Sequence, residues 1–179
     1  IELVHNNYKD HSAVDIESIF LMGHSRGGGI VTITASEDFR VKKLITLAGV
    51  SNYECRFPKG QALKNWQKDG ICYVENGRTK QKMPHHYQFY EDFIANENRL
   101  SIENASKKIT IPHLIIHGDA DTSVPIFEAE QLNLWSKTSI IYKVVGGNHV
   151  FGCKHPWENP EIPADFELVL SEILDFINN

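Results

Sequence analysis

The stretch Met22-Gly23-His24-Ser25-Arg26-Gly27-Gly28-Gly29 decides how this chain is read. An apolar run, Ile19-Phe20-Leu21-Met22, leads into it, and Ile30-Val31-Thr32-Ile33 follows. Strand, sharp turn and helix around Gly-x-Ser-x-Gly form a nucleophile elbow, in which a serine hydroxyl is lifted clear of a sheet. The helix must then pass close to the strand, so a Cβ at Gly23 or Gly27 is expected to clash. The plain alternative makes Ser25 an ordinary helix N-cap. The rest of the chain has to choose between the two.

Outward from this segment the pattern alternates. Ile1, Val4 and Tyr8 share a helical face, so residues 1–8 read as the tail of a helix. A strand over 19–22 and a helix over 27–36 are followed by a strand at Lys43-Leu44-Ile45-Thr46-Leu47-Ala48, ended by Gly49. Such a βαβ unit implies parallel strands with a right-handed crossover. Residues 51–108 break the rhythm with Trp66, Tyr73, Tyr87, Phe89, Tyr90 and Phe93 among polar residues, and Tyr87–Asn96 reads as a helix within them. Alternation resumes with a strand at 113–117, a helix opened by Pro125 and running to Trp135, and a strand at 140–145. Phe166, Val169, Leu170, Ile173, Leu174 and Ile177 then fall on one face of a closing helix. The expectation is one α/β domain over 1–179, doubly wound on a mostly parallel sheet, with an insertion at 51–108.

A serine hydroxyl attacks well only when a base takes its proton, and the base works best when an acid orients it. Both partners are available after strand ends, in the order Ser, Asp, His. Gly118-Asp119-Ala120-Asp121-Thr122-Ser123-Val124-Pro125 follows one strand, and Gly146-Gly147-Asn148-His149 follows the next. In a parallel sheet these positions share the edge from which the elbow projects. Asp119 competes with Asp121 for the acid's place and could instead be a turn residue. His85, His86, His117 and His155 compete with His149, while His24 reads as a packing residue.

The elbow, the His-Gly-Asp-x-Asp-x-x-Val-Pro segment and the Gly-Asn-His end together resemble the α/β-hydrolase superfamily. They look most like its dienelactone-hydrolase, acyl-esterase and prolyl-oligopeptidase-like branch. The resemblance covers the chain apart from 51–108. It implies Ser25 as nucleophile, Asp121 as acid, His149 as general base and the backbone N–H of Arg26 as an oxyanion-hole donor. It implies a serine hydrolase that cleaves small carboxylic esters through an acyl-enzyme without a cofactor. The neighbouring readings are a prolyl-oligopeptidase-like peptidase, an acyl transferase and a non-catalytic protein that keeps the fold. In this superfamily an insertion such as 51–108 commonly forms a cap. Trp66, Tyr87, Phe89 and Trp157 then either line a pocket or form a satellite core that pins the cap.

That fold has strands before the elbow strand, and here only a helix end precedes Ile19. The expectation is therefore a carboxy-terminal portion of a longer polypeptide, with the elbow strand at an open edge. Such a portion alone is expected to be impaired in activity and prone to aggregate. An apolar fraction of 41% with 23% charged residues suits a globular domain. A net charge of -5 without a basic run gives no reason to expect nucleic acid. No apolar stretch nears the roughly 20 residues of a membrane helix. Three scattered cysteines, Cys55, Cys72 and Cys153, suit a reducing, cytoplasmic compartment, and Cys153-Lys154-His155 lacks the matching pair that a metal site needs.

Overall fold

The computed structural model describes residues 1–11, 13–76 and 79–179. Ser12 before the first strand, and Gly77 and Arg78 in the insertion, lie outside them. The chain divides into two compact units, Ile1–Ser51 with Ile102–Asn179, and Asn52–Ser101.

The first unit is built on strands β1 (Ile19–His24), β2 (Val41–Leu47), β5 (His113–Gly118) and β6 (Ser139–Val144). They form a parallel four-stranded sheet in the order β1-β2-β5-β6. Leu44, Ile45, Thr46 and Leu47 of β2 are all buried, as is every residue of β5. Strands covered on both faces are rich in apolar residues, here Leu44, Ile45 and Leu47 of β2 and Leu114, Ile115 and Ile116 of β5, with Thr46, His113 and His117 as buried polar exceptions.

Helices α2 (Arg26–Glu37), α5 (Ile102–Lys108) and α6 (Ile126–Trp135) pack on one another as one layer. The other face of the sheet takes α7 (Ala164–Asn178), with Val169 and Ile173 set among Ile45, Leu47, Leu114, Ile116, Val144 and Phe151. The predicted apolar stripe of α7 is wider than the face it buries. Leu174 is 57% exposed, and Phe176 packs on the core instead. Lys43 reaches the end of this helix and donates to the Phe176 and Ile177 carbonyls at 2.8 and 2.9 Å. A cation at a helix C-terminus is well matched to its dipole. Helix α1 (Glu2–Tyr8) is tied on through Glu2 and Arg40, 2.7 Å apart.

The second unit holds α3 (Gly60–Asp69), an antiparallel hairpin of β3 (Ile71–Glu75) and β4 (Lys82–His86), and α4 (Gln88–Ala95). Its centre is aromatic. Phe57 meets Trp66, Phe89, Tyr90 and Phe93, the last at a ring separation of 4.8 Å. Trp66 is buried, packs edge-on to Tyr87 and donates its indole N–H to the His85 carbonyl at 2.8 Å. Trp66 and Tyr87 thus pack with Phe57 and Phe93, Phe89 touches Phe57 but is exposed, and Trp157 belongs to the other unit. Helix α5 also belongs to the first unit, so the expected insertion loses residues 102–108 to it. Among the described residues no helix is long and apolar enough to cross a membrane.

Two glycines set the closeness of strand and helix, and one of them is not the one the motif suggested. A Cβ on Gly23 would lie 2.3 Å from the Gly27 carbonyl oxygen, and one on Gly28 would lie 2.8 Å from the Gly49 Cα. A Cβ on Gly27 meets nothing within 4 Å, which corrects the expected clash there. Gly27→Ala is therefore expected to hold stability or raise it by about 0.5 kcal/mol, because alanine favours the helix. Gly23→Ala and Gly28→Ala are expected to cost about 3 kcal/mol or more, since backbone must move. Denaturant midpoints of the three variants check this ordering, and an equal loss in all three contradicts it.

Candidate active site

Ser25 sits between β1 and α2 with φ 56 and ψ -121. This is left-handed backbone that a residue with a side chain adopts only when its surroundings impose it. Here both of its peptide groups are engaged. The Ser25 N–H donates to the Leu47 carbonyl at 2.9 Å, and the Ser25 carbonyl accepts from Gly28 at 3.0 Å and Val50 at 3.2 Å. The end of β2 therefore holds the turn open. Arg26 begins α2, so its N–H belongs to the first turn of that helix.

The loops after β5 and β6 are fastened to each other. A Cβ on Gly118 would fall 2.1 Å from the Gly147 carbonyl oxygen, a contact only glycine permits. Asp119 accepts from the Gly146 N–H at 2.6 Å, and Ala120 donates to Gly147 at 3.0 Å. Asp119 is thus a staple between the two loops, which leaves Asp121 to face the histidine.

His149 joins residues far apart in the chain. Its Nδ1 lies 2.7 Å from Asp121 Oδ2, and its Nε2 lies 3.0 Å from Ser25 Oγ. A carboxylate only accepts, so Nδ1 carries the proton and donates to Asp121. The neutral ring then offers a bare Nε2, to which the Ser25 hydroxyl donates. Burial of Asp121 works to raise its carboxyl pKa. The Val124 N–H, His149 and the Ser123 N–H together outweigh it and hold the group below its ordinary value. Its Oδ1 accepts from Ser123 at 2.8 Å and Val124 at 2.9 Å.

Two histidines beside this set were not seen in their places from sequence. His117 is fully buried, with Nε2 2.8 Å from the Val124 carbonyl and 3.4 Å from Asp121 Oδ2. Both partners accept, so Nε2 carries the proton, and Nδ1 has no partner among the described residues. His24 was read as a packing residue, and its ring does meet that of His149, but it also makes a polar contact. It is exposed, and its Nε2 lies 2.8 Å from the His149 carbonyl oxygen. The His24 contact spans 125 residues and depends on β1 meeting the loop after β6, whereas His117 bonds within the turn that follows its own strand, whose path no residue pattern gives. Of the other candidates, His85 and His86 lie on β4 in the second unit, and His155 is exposed.

Comparison with solved structures decides the architecture. Est1E from Butyrivibrio proteoclasticus superposes with a TM-score of 0.66 at 20% identity, over 97% of this chain and 65% of that one. A monoacylglycerol lipase from Paleococcus ferrophilus gives 0.64 at 17% identity, over 98% and 74%. The chain has the α/β-hydrolase fold. No family model matches its sequence. Two curated relatives align in sequence at lower coverage. A probable anguibactin biosynthesis thioesterase, AngT, of Vibrio anguillarum is 27% identical over 157 residues, 79% of this chain and 61% of AngT. An uncharacterized peptidase, YtmA, of Bacillus subtilis is 29% identical over 119 residues, 66% of this chain and 40% of YtmA. The chain thus spans less than two thirds of these relatives' lengths.

The buried histidines give the hydrolase fold a definite response to acid. Burial lowers the pKa of His113 from 6.5 to about 3, and burial likewise lowers that of His117. Each then binds a proton more readily in the unfolded chain, so stability falls as pH drops below 6.5. Asp121 adds stability above its unfolded value of 3.8 that is lost as pH falls through its lower folded value. Denaturant midpoints should decline from pH 6.5 toward pH 4, with His113 alone contributing up to about 1.4 kcal/mol per pH unit. A flat profile across that window contradicts the burial of both rings as neutral groups.

Proposed function

We propose that this protein is a serine hydrolase that cleaves small carboxylic esters through an acyl-enzyme. The observation that carries the reading is the unbroken Ser25–His149–Asp121 chain of hydrogen bonds, hung on a serine with left-handed backbone. Est1E and the monoacylglycerol lipase, which share the fold, are in keeping with ester chemistry.

Ser25 Oγ attacks the ester carbonyl as its proton passes to His149 Nε2. Negative charge gathers on the carbonyl oxygen, where the Arg26 N–H at the start of α2 serves as one donor. The imidazolium is supported by Asp121 through Nδ1, and the carboxylate stays ionised because its backbone donors favour the charged form. The tetrahedral adduct collapses as His149 returns the proton to the leaving alcohol, leaving Ser25 acylated. Water then attacks with His149 as base, the acid departs and Ser25 Oγ recovers its proton.

The same sequence of steps serves a thioester or an amide, and the relatives named a thioesterase and a peptidase favour keeping both as second readings. Only the leaving group differs. A panel of p-nitrophenyl esters, acyl thioesters and aminoacyl anilides, offered to the natural full-length protein, separates them. Short esters are expected to give the highest kcat/KM. Ser25→Ala is expected to lose about 10⁶-fold in kcat and Asp121→Asn about 10⁴-fold. Preference for anilides overturns the ester reading, and undiminished turnover in Ser25→Ala overturns the serine mechanism.

A further inference from the structure

We propose that His24 is a positioning residue that fixes His149 relative to Ser25 through the main chain of the base itself. The inference rests on the reading of Ser25 and His149 as nucleophile and base. His24 and Ser25 are consecutive, and both touch His149, at different atoms. Ser25 Oγ lies 3.0 Å from the ring nitrogen Nε2, and His24 Nε2 lies 2.8 Å from the carbonyl oxygen. A carbonyl only accepts, so His24 donates, and its tautomer is settled without regard to substrate.

The two contacts close a ring that runs along the chain from 24 to 25, across to the imidazole of 149, and back through its carbonyl. Ser25 and Asp121 engage only the imidazole of residue 149, at Nε2 and Nδ1, and leave its peptide to other contacts. Two contacts from adjacent residues hold both the side chain and the peptide that carries it. The rings of His24 and His149 also meet, with centroids 4.7 Å apart and planes at 47°.

The segment held in this way behaves as one piece. Asn148 Oδ1 accepts from the Val150 N–H at 3.0 Å and the Gly152 N–H at 3.1 Å, and its carbonyl accepts from Phe151 at 3.1 Å. Phe151 is held at φ 52 and is buried in the core cluster. The turn is thus rigid within itself and seated at Phe151. Asp119 and Ala120 hold its start at Gly146 and Gly147, and the His24 bond to the His149 carbonyl adds the tie at the end nearest Ser25. The elbow therefore carries more than the nucleophile. The residue before the serine sets the distance over which the proton has to move.

Two variants of the exposed His24 test this. His24→Phe keeps a ring against His149 and removes the donor, whereas His24→Gln offers an amide N–H at similar reach. Both are assayed on the preferred ester of the natural full-length protein, and hydrogen exchange is followed at the backbone amides of 148–153. His24→Phe is expected to lower kcat about tenfold with KM within twofold, because small misplacement of a catalytic group is costly. Exchange at 148–153 should quicken about tenfold alongside. His24→Gln should recover kcat and exchange to within about threefold of the parent.

Wild-type kcat in His24→Phe, unchanged exchange at 148–153, or a His24→Gln variant as impaired as His24→Phe overturns the proposal. Turnover that survives in Ser25→Ala is a separate failure, of the serine-hydrolase reading. In that event exchange alone still decides whether His24 holds the 148–153 turn.

Discussion

The site depends on one backbone turn that a residue with a side chain avoids. Ser25 at φ 56 costs of the order of 1–3 kcal/mol wherever it occurs, and it persists because the surroundings over-determine it. Hydrogen bonds to the Leu47 carbonyl and from Val50 hold it to the end of β2. The bare Cα of Gly23 lets α2 start directly over β1. With the turn fixed, Ser25 Oγ leaves the sheet at the edge where the loops after β5 and β6 also emerge. A relaxed serine at this position would turn its hydroxyl toward the first turn of α2 as an N-cap, and Ser25 makes no such cap bond.

Backbone packing also brings Asp121 and His149 together before any charge is considered. Gly118 against Gly147, and Asp119 against the Gly146 N–H, draw the two loops into contact. Asp121 and His149 inherit their separation from that contact. Polar groups then refine it. Asp121 is ringed by donors from Ser123, Val124, His149 and His117, and the neutral, buried His117 adds no competing positive charge. A carboxylate so surrounded has little freedom to turn, which keeps its Oδ2 aimed at the imidazole that it orients.

What the sequence disclosed follows from what each element buries. β2 and β5 were legible because strands covered on both faces carry largely apolar runs, at 44–47 and 114–116, that stop near glycine. Ser25, Asp121 and His149 were legible because each follows a strand, although 124 and 28 residues separate the partners of the two hydrogen bonds. The hairpin was hidden because Pro84 lies within β4, and a proline inside a run argues against a strand. Helix α5 was hidden because only Ile102 and Ala105 are apolar among its seven residues, although both are buried. Gly27 and Gly28 are equivalent in composition, and only the approach of Gly49 tells which one is needed. The contact of His24 crosses from β1 to the loop after β6, which no local pattern encodes, and that of His117 depends on the path of the turn after β5.

The central claim is that Ser25 is made nucleophilic by His149 and Asp121. Intact-mass spectrometry of the natural full-length protein after treatment with a fluorophosphonate tests it most directly, because such probes react with activated serines and spare ordinary ones. The account predicts a single adduct on the parent, carried by the peptide that contains Ser25. It predicts none on Ser25→Ala and sharply slower labelling of His149→Ala. Labelling at another serine, or an unlabelled parent that is folded, would contradict it.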